Sequence, residues 1–171
     1  MEKIKERLRW QGKVIIEKFN NKKLISKKTI FNMITNNALN EIIKSLYNYP
    51  NMKLEYLAIG DDNTAVSASD VQLGNEIFRT PIITQSVTGT GELTSRAILL
   101  PDEPFAAPSP PSHDQCIIRE IGFFAGTNAE EWNDGTGANT GLLISRIVLS
   151  SPETKADNEQ INFTRVDSIE R

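Results

Sequence analysis

Tyr56 to Thr80 reads YLAIGDDNTAVSASDVQLGNEIFRT, and this stretch decides the fold class. A short apolar strand, Tyr56-Leu57-Ala58-Ile59, ends at Gly60 in the turn Asp61-Asp62-Asn63. A loop of small polar residues follows, and Leu73-Gly74-Asn75-Glu76-Ile77-Phe78-Arg79 leads into the next strand. Short apolar runs bounded by Gly, Asp, Asn and Ser clusters are the signature of β structure. Two later stretches rhyme with it: REIGFFAG from Arg119 to Gly126, and LLISRIVLS from Leu142 to Ser150. Each sets charged residues inside or against an apolar run. A half-buried charge is costly unless it is paired. Pairing is therefore expected among Glu76, Arg79, Arg119, Glu120 and Arg146, some of it as bidentate Arg–carboxylate contacts.

Working outward, Gly12 to Phe19 (GKVIIEKF) and Leu24 to Phe31 flank an Asn20-Asn21-Lys22-Lys23 turn and predict a β-hairpin. Its lysines fall on the polar phase, where they guard an edge against pairing with other chains. A helix is predicted over about 36–49, capped by Thr35 or Asn36 and ended by Pro50. Leu39, Ile42, Ile43, Leu46 and Tyr47 form the stripe expected to lie across a sheet. Further strands are predicted at 54–59, 77–85, 92–100, 116–125, 142–149 and 160–169, with a turn at 88–91. Three long connections interrupt them: 61–75, where Asp70 is set to cap a single helical turn, the Pro-rich loop 101–114, and the Gly/Asn-rich loop 127–141. Many short strands, one helix and no βαβ rhythm predict a mainly β chain, a β-sandwich of antiparallel strands with one packed α-helix and long irregular loops. The expected organisation is a basic N-terminal arm, 1–10, followed by one domain, 11–171.

At 171 residues, 39% of them apolar, the chain can bury a full core without staples. The single cysteine, Cys116, cannot form an internal disulfide and reads as a buried thiol. The longest apolar runs are too short to cross a membrane as a helix. The start of the chain lacks the apolar core of a secretory signal, so synthesis in the cytoplasm is expected. Net charge is −3 but unevenly spread: residues 1–30 hold ten Lys or Arg against three Glu. Such an arm suits an acidic partner surface. Aromatic residues are not interleaved with the lysines, which argues against nucleic acid.

The motifs of chemistry are missing. The only histidine, His113, sits in the Pro-Ser loop beside Asp114 and carries no triad signal. One His and one Cys do not make a zinc set. Asp61, Asp62, Asn63 and Asp70 offer hard oxygen ligands for calcium, yet the EF-hand glycine and terminal glutamate are absent, and turn chemistry explains the residues as well. Trp132-Asn133-Asp134-Gly135 is a turn motif first. Glu76 with Glu92, or Asp102 with Glu103, could be imagined as a glycosidase pair, but any chain with 22 acidic residues offers such pairs. No catalytic residue, metal or cofactor is expected.

The ordered pieces Tyr56-Leu57-Ala58-Ile59-Gly60, Leu73-x-x-Glu76-x-x-Arg79, Ile118-x-Glu120-Ile121-Gly122-Phe123-Phe124 and Leu142-Leu143-Ile144-Ser145-Arg146, closed by Lys155 and Ile161 to Ile169, resemble the tail-fibre N-terminal and tail-collar type of tailed-bacteriophage structural proteins. The resemblance covers roughly 54–169. The hairpin GKVIIEKFNNKKLISKK also resembles segments of structural proteins from phages of Gram-positive hosts. The resemblance implies a non-enzymatic virion protein, made in the host cytoplasm, that assembles as a homo-oligomer with other virion proteins and without membrane or nucleic acid. No shaft follows the module within the 171 residues, so a short tail, collar, baseplate or fibre-anchoring adaptor is expected. The alternatives are a host-surface carbohydrate-binding module or a head-surface fibre or decoration protein, with a cell-wall hydrolase as the enzymatic competitor. Lys3, Lys5, Arg7, Arg9, Phe105 and Trp132 are the candidate interface residues, the two aromatics being expected to fill pockets on a neighbour.

Overall fold

A computed structural model describes residues 9–45, 53–105, 115–126, 128–132 and 135–170. Among the described residues, nine strands and one helix run in the order β1 (Arg9–Asn20), β2 (Lys23–Phe31), β3 (Met33–Ile34), α1 (Asn36–Ser45), β4 (Leu54–Gly60), β5 (Glu76–Gly89), β6 (Glu92–Leu99), β7 (Gln115–Ala125), β8 (Leu142–Ala156) and β9 (Glu159–Glu170). All pairings are antiparallel, in the spatial order β2-β1-β9-β6-β5-β4-β7-β8-β3.

The expected sandwich is made from this one sheet folded over on itself. The fold lies in β5: its first half pairs with β4 as far as Tyr56↔Pro81, and from Ile82↔Ala97 onward it pairs with β6. Pro81, which has no N–H to give a ladder, stands at the handover. The two halves then face each other. Val14 and Ile16 of β1, Leu99 of β6, and Ile161 and Phe163 of β9 share one buried cluster with Leu57 and Ile59 of β4, Ile121 and Phe123 of β7, and Ile144 of β8. Alternate residues on each strand supply that core, which is the period-2 rule at work.

The sheet nearly closes where β1 and β2 approach β8. Side chains bridge the gap in place of a ladder: Lys18 Nζ donates to Thr154 O at 2.7 Å and lies 2.9 Å from Glu153, which also takes Lys28. Burial pushes the Glu153 carboxyl up, but the hydrogen bonds from Lys28 and Lys18 outweigh it and hold the group below the usual glutamate range.

Several expectations change. Thr35 is the helix cap, accepting from Ala38 N at 3.2 Å, and its hydroxyl donates to Leu143 O at 2.6 Å. Those bonds, with Asn36 N to Ala68 O, turn α1 so that Ala38 is fully buried while Leu39 and Ile43 are exposed. Of the predicted stripe, Leu39 and Ile43 are therefore off the buried face, while Ile42 is half-buried. Residues 46–49 of the predicted helix lie outside the described residues. β8 runs to Ala156 rather than 149, because Glu153 and Lys155 occupy its inward phase and break the apolar pattern. Asp70 starts no helical turn. Its carboxylate accepts from Ser67 N at 3.0 Å across a tight turn instead.

Candidate functional site

Glu76, Arg79, Glu120 and Arg146 lie on the outer face of the half-sheet made by β4, the first half of β5, β7 and β8. Ala58 and Tyr56 of β4, Gly122 and Phe124 of β7, and Leu143 of β8 point away from the main core. Loop 61–75 and the described residues of loop 127–141 lie over them. Leu73 descends from the first loop into a second apolar cluster with Ala58, Phe124 and Leu143. An outward phase that ordinary alternation gives to solvent is thus roofed, and the charges on it are buried.

Arg79 ties down the second loop. Its Nε donates to Glu76 Oε1 at 2.6 Å and Nη2 to Glu76 Oε2 at 2.9 Å, a bidentate pair with both side chains out of solvent. Its Nη1 donates to Glu130 O, Thr140 O and Thr140 Oγ1 at 3.0–3.1 Å. The guanidinium lies over the ring of Phe124, 4.7 Å from its centroid, and near Tyr56 at 5.5 Å. Glu76 Oε2 also accepts from Asn139 N at 2.8 Å. Burial, with Glu131 and Glu55 nearby, pushes the Tyr56 phenol above its ordinary value.

Arg146 does the same for the first loop. Its three nitrogens reach three carboxylates: Glu120 at 2.8 Å, Asp70 at 3.0 Å and Asp62 at 2.9 Å. Glu120, fully buried, accepts from Gly74 N and Asn75 N as well. Burial pushes the Arg146 guanidinium down, but its bonds to Glu120 and Asp70 hold it above the ordinary arginine value. The Thr64 hydrogen bond, helped by Arg146, lowers Asp62. The two centres join through Leu73 N, which donates to Asn139 Oδ1 at 2.9 Å.

The glycines of the pattern serve close approach. A Cβ on Gly60 would stand 2.4 Å from Asn75 O and 2.5 Å from Glu120 Oε1, and one on Gly122 would stand 2.8 Å from Leu73 Cδ2. Neither space can be opened without moving the roof.

Of the five charged residues singled out from sequence, Glu76 meets Arg79 and Glu120 meets Arg146. Arg119 joins neither pair. It sits in a bulge, where Ile118 faces Glu153 and Glu120 faces Val148, and it is half-buried with no ion pair among the described residues. Of the candidate interface residues, Lys3, Lys5 and Arg7 lie outside the described residues, and Arg9 is exposed opposite Glu170. Phe105 and Trp132, expected to fill pockets on a neighbour, pack against this chain's own core. Trp132 tilts against Phe78 at 5.9 Å between centroids, and Phe105 lies 5.1 Å from the Lys155 ammonium. His113 and Asp114 lie outside the described residues.

Sequence reasoning missed Asp62 and Asp70 as partners of Arg146. It also missed a second bidentate pair, Arg165 with Asp167 at 2.7 Å, to which Trp10 Nε1 donates at 3.0 Å. Its signal was present: Ile161, Phe163, Arg165 and Asp167 alternate on the inward phase of β9. Lys155 closes the series on which the resemblance rests, but its burial was not foreseen. It is fully buried and donates to Pro101 O at 2.8 Å, and burial pushes its amine down to about 8. Its register partner Cys116 is pushed up to about 11 by burial. Among the described residues no cluster of three or more His, Cys, Asp and Glu is arranged to hold a metal.

No family model matches the chain, and no curated protein and no solved structure matches it.

Proposed function

We propose that the chain is a non-enzymatic structural subunit of a tailed-phage particle, of the tail, collar, baseplate or fibre-anchoring kind. One observation carries the reading. The residues on which the resemblance rests (Gly60, Leu73, Glu76, Arg79, Glu120, Gly122 and Arg146) form one connected network in space, although they span almost ninety positions of the chain. Their shared task is to fix two long loops on one face of a sheet. Arg79 commits its Nε and both terminal nitrogens to that task, and Glu120 commits both oxygens. Buried ion pairs of this type specify one arrangement more surely than they add stability. A subunit that must present the same loops to many identical neighbours gains from that specificity. The host-surface glycan reading is weaker, since Trp132, its natural stacking platform, is engaged with Phe78.

The test is the composition of particles. Virions from the strain encoding this chain, purified on a density gradient, are expected to contain it at a fixed ratio to the capsid protein by quantitative mass spectrometry. Recovery only in the soluble lysate, with particles intact, would overturn the reading.

A further inference from the structure

Among the described residues, the end of the sandwich at which β1 begins and β2, β5 and β9 finish is open. A cavity of about 360 Å³ enters between the two halves of the sheet there. Leu54, Leu93, Ile144 and Trp10 line it, and Val87 and Ile169 stand on its rim. Its floor is the Arg165–Asp167 pair. The Asp167 carboxylate already accepts from Arg165 Nε, Arg165 Nη2 and Trp10 Nε1. The floor therefore has little left with which to recognise a polar ligand, and the cavity suits an apolar group.

Val87, 80% exposed, and Ile169 stand open at the mouth. Isolated exposed apolar residues need no explanation, but two of them at the rim of an apolar cavity mark a binding surface. Phe31, 72% exposed, stands apart from it, on the outer face of the edge strand. Phe31 is the candidate plug. It ends the edge strand β2 and faces exposed Lys13 in register on β1, whereas Lys27 on the same phase is already paired with Glu17. The mouth carries Glu92, whose carboxylate accepts from Thr88 Oγ1 at 2.6 Å and has no ion-pair partner among the described residues. A basic, aromatic knob and an acidic, apolar hole are complementary, and the whole chain repeats the division: its first thirty residues are strongly basic, the remainder acidic.

We infer that this end is an interface with a second copy of the chain, in which Phe31 of one copy enters the mouth beside Val87 and Leu93 of the next, with Lys13 against Glu92. Knob and hole are different surfaces, so the contact is heterologous when it repeats and closes into a ring if the rotation allows. The inference stands on this surface and not on the virion reading. Particle membership and self-association can fail separately.

Sedimentation velocity on the full chain over a concentration series tests it. The unmodified chain is expected to associate reversibly. Phe31→Ser removes the knob and Val87→Asp blocks the hole, and each is expected to weaken association by roughly tenfold or more. Both sites are exposed, and circular dichroism checks that the fold survives. Mixing the two variants is expected to restore association, stopping at one-to-one pairs, because one offers only a hole and the other only a knob. A chain that stays monomeric at every concentration, a variant that associates like the unmodified chain, or a mixture no stronger than its parts would each overturn the inference.

Discussion

The two faces of the β4-β7-β8 half-sheet are buried by different means. The inner face meets another half-sheet through Leu57, Ile59, Ile121 and Phe123, and its burial rests on apolar area that any well-shaped hydrophobe supplies. The outer face meets two irregular loops whose backbone groups need partners; the charged side chains of Arg79, Glu76 and Glu120 supply them, while Arg146 holds the loop carboxylates of Asp62 and Asp70. Loops cannot satisfy themselves as strands do, so a roof made of loops must be bonded to what it covers. The comparison teaches that burial in this chain divides into one face that is filled and one that is fastened.

The largest expected effect tests the fastened face. Glu120→Ala leaves the buried Arg146 guanidinium without its closest carboxylate and two loop amides without an acceptor. Such losses cost about 3–5 kcal/mol, read as a drop in the urea midpoint. The paired change Glu76→Leu with Arg79→Met sharpens the contrast. It removes both charges at once and is expected to cost far less in global stability than Arg79→Ala alone. Hydrogen exchange should nevertheless show faster exchange at Asn139 and Glu130, whose amides the network protects. A double variant as unstable as the single one would put the two faces on the same footing.

Lys155 supplies a pH test on the filled side. Its amine is held near 8 in the fold against 10.5 when exposed. Between those values the unfolded chain keeps a proton that the folded chain has released. Stability is therefore expected to rise as pH climbs from about 8 toward 10.5, and to carry a constant cost below that window. Lys155→Met should flatten this stretch of the stability–pH curve, measured by urea unfolding at fixed temperature. Smallest is Thr35→Ala, which removes the helix cap and its bond to Leu143 O. A loss of about 1 kcal/mol is expected, seen as lower thermal stability with the sheet otherwise intact.

Much of the fold was legible because alternation and turn residues report β structure locally. The β1–β2 hairpin, the strands around Gly60 and the Thr35 cap all fall where the residues put them. The roof was not legible. A charge at position 79 or 146 on the outward phase of a strand reads the same under water or under a loop, and only tertiary contact distinguishes them. That Glu76 and Arg79 would be paired was readable from charges set against apolar runs, though their meeting on one face needs the irregularity opposite Ile59-Gly60; Asp62 and Asp70 looked like ion ligands because a guanidinium and a cation ask for the same oxygens. The tail of β8 was hidden by its own inward charges, and the facing of α1 by anchors at Leu143 and Ala68 that lie far away in sequence.

β5 passes from one half-sheet to the other, with Arg79 two residues before its corner at Pro81 and Val87 six residues beyond it. The fastening under the loops and the rim of the open mouth are therefore beads on one extended strand, some eight residues apart. Mechanically the molecule is less a pair of plates than a single folded beam, gripped at one end and free to bear load at the other.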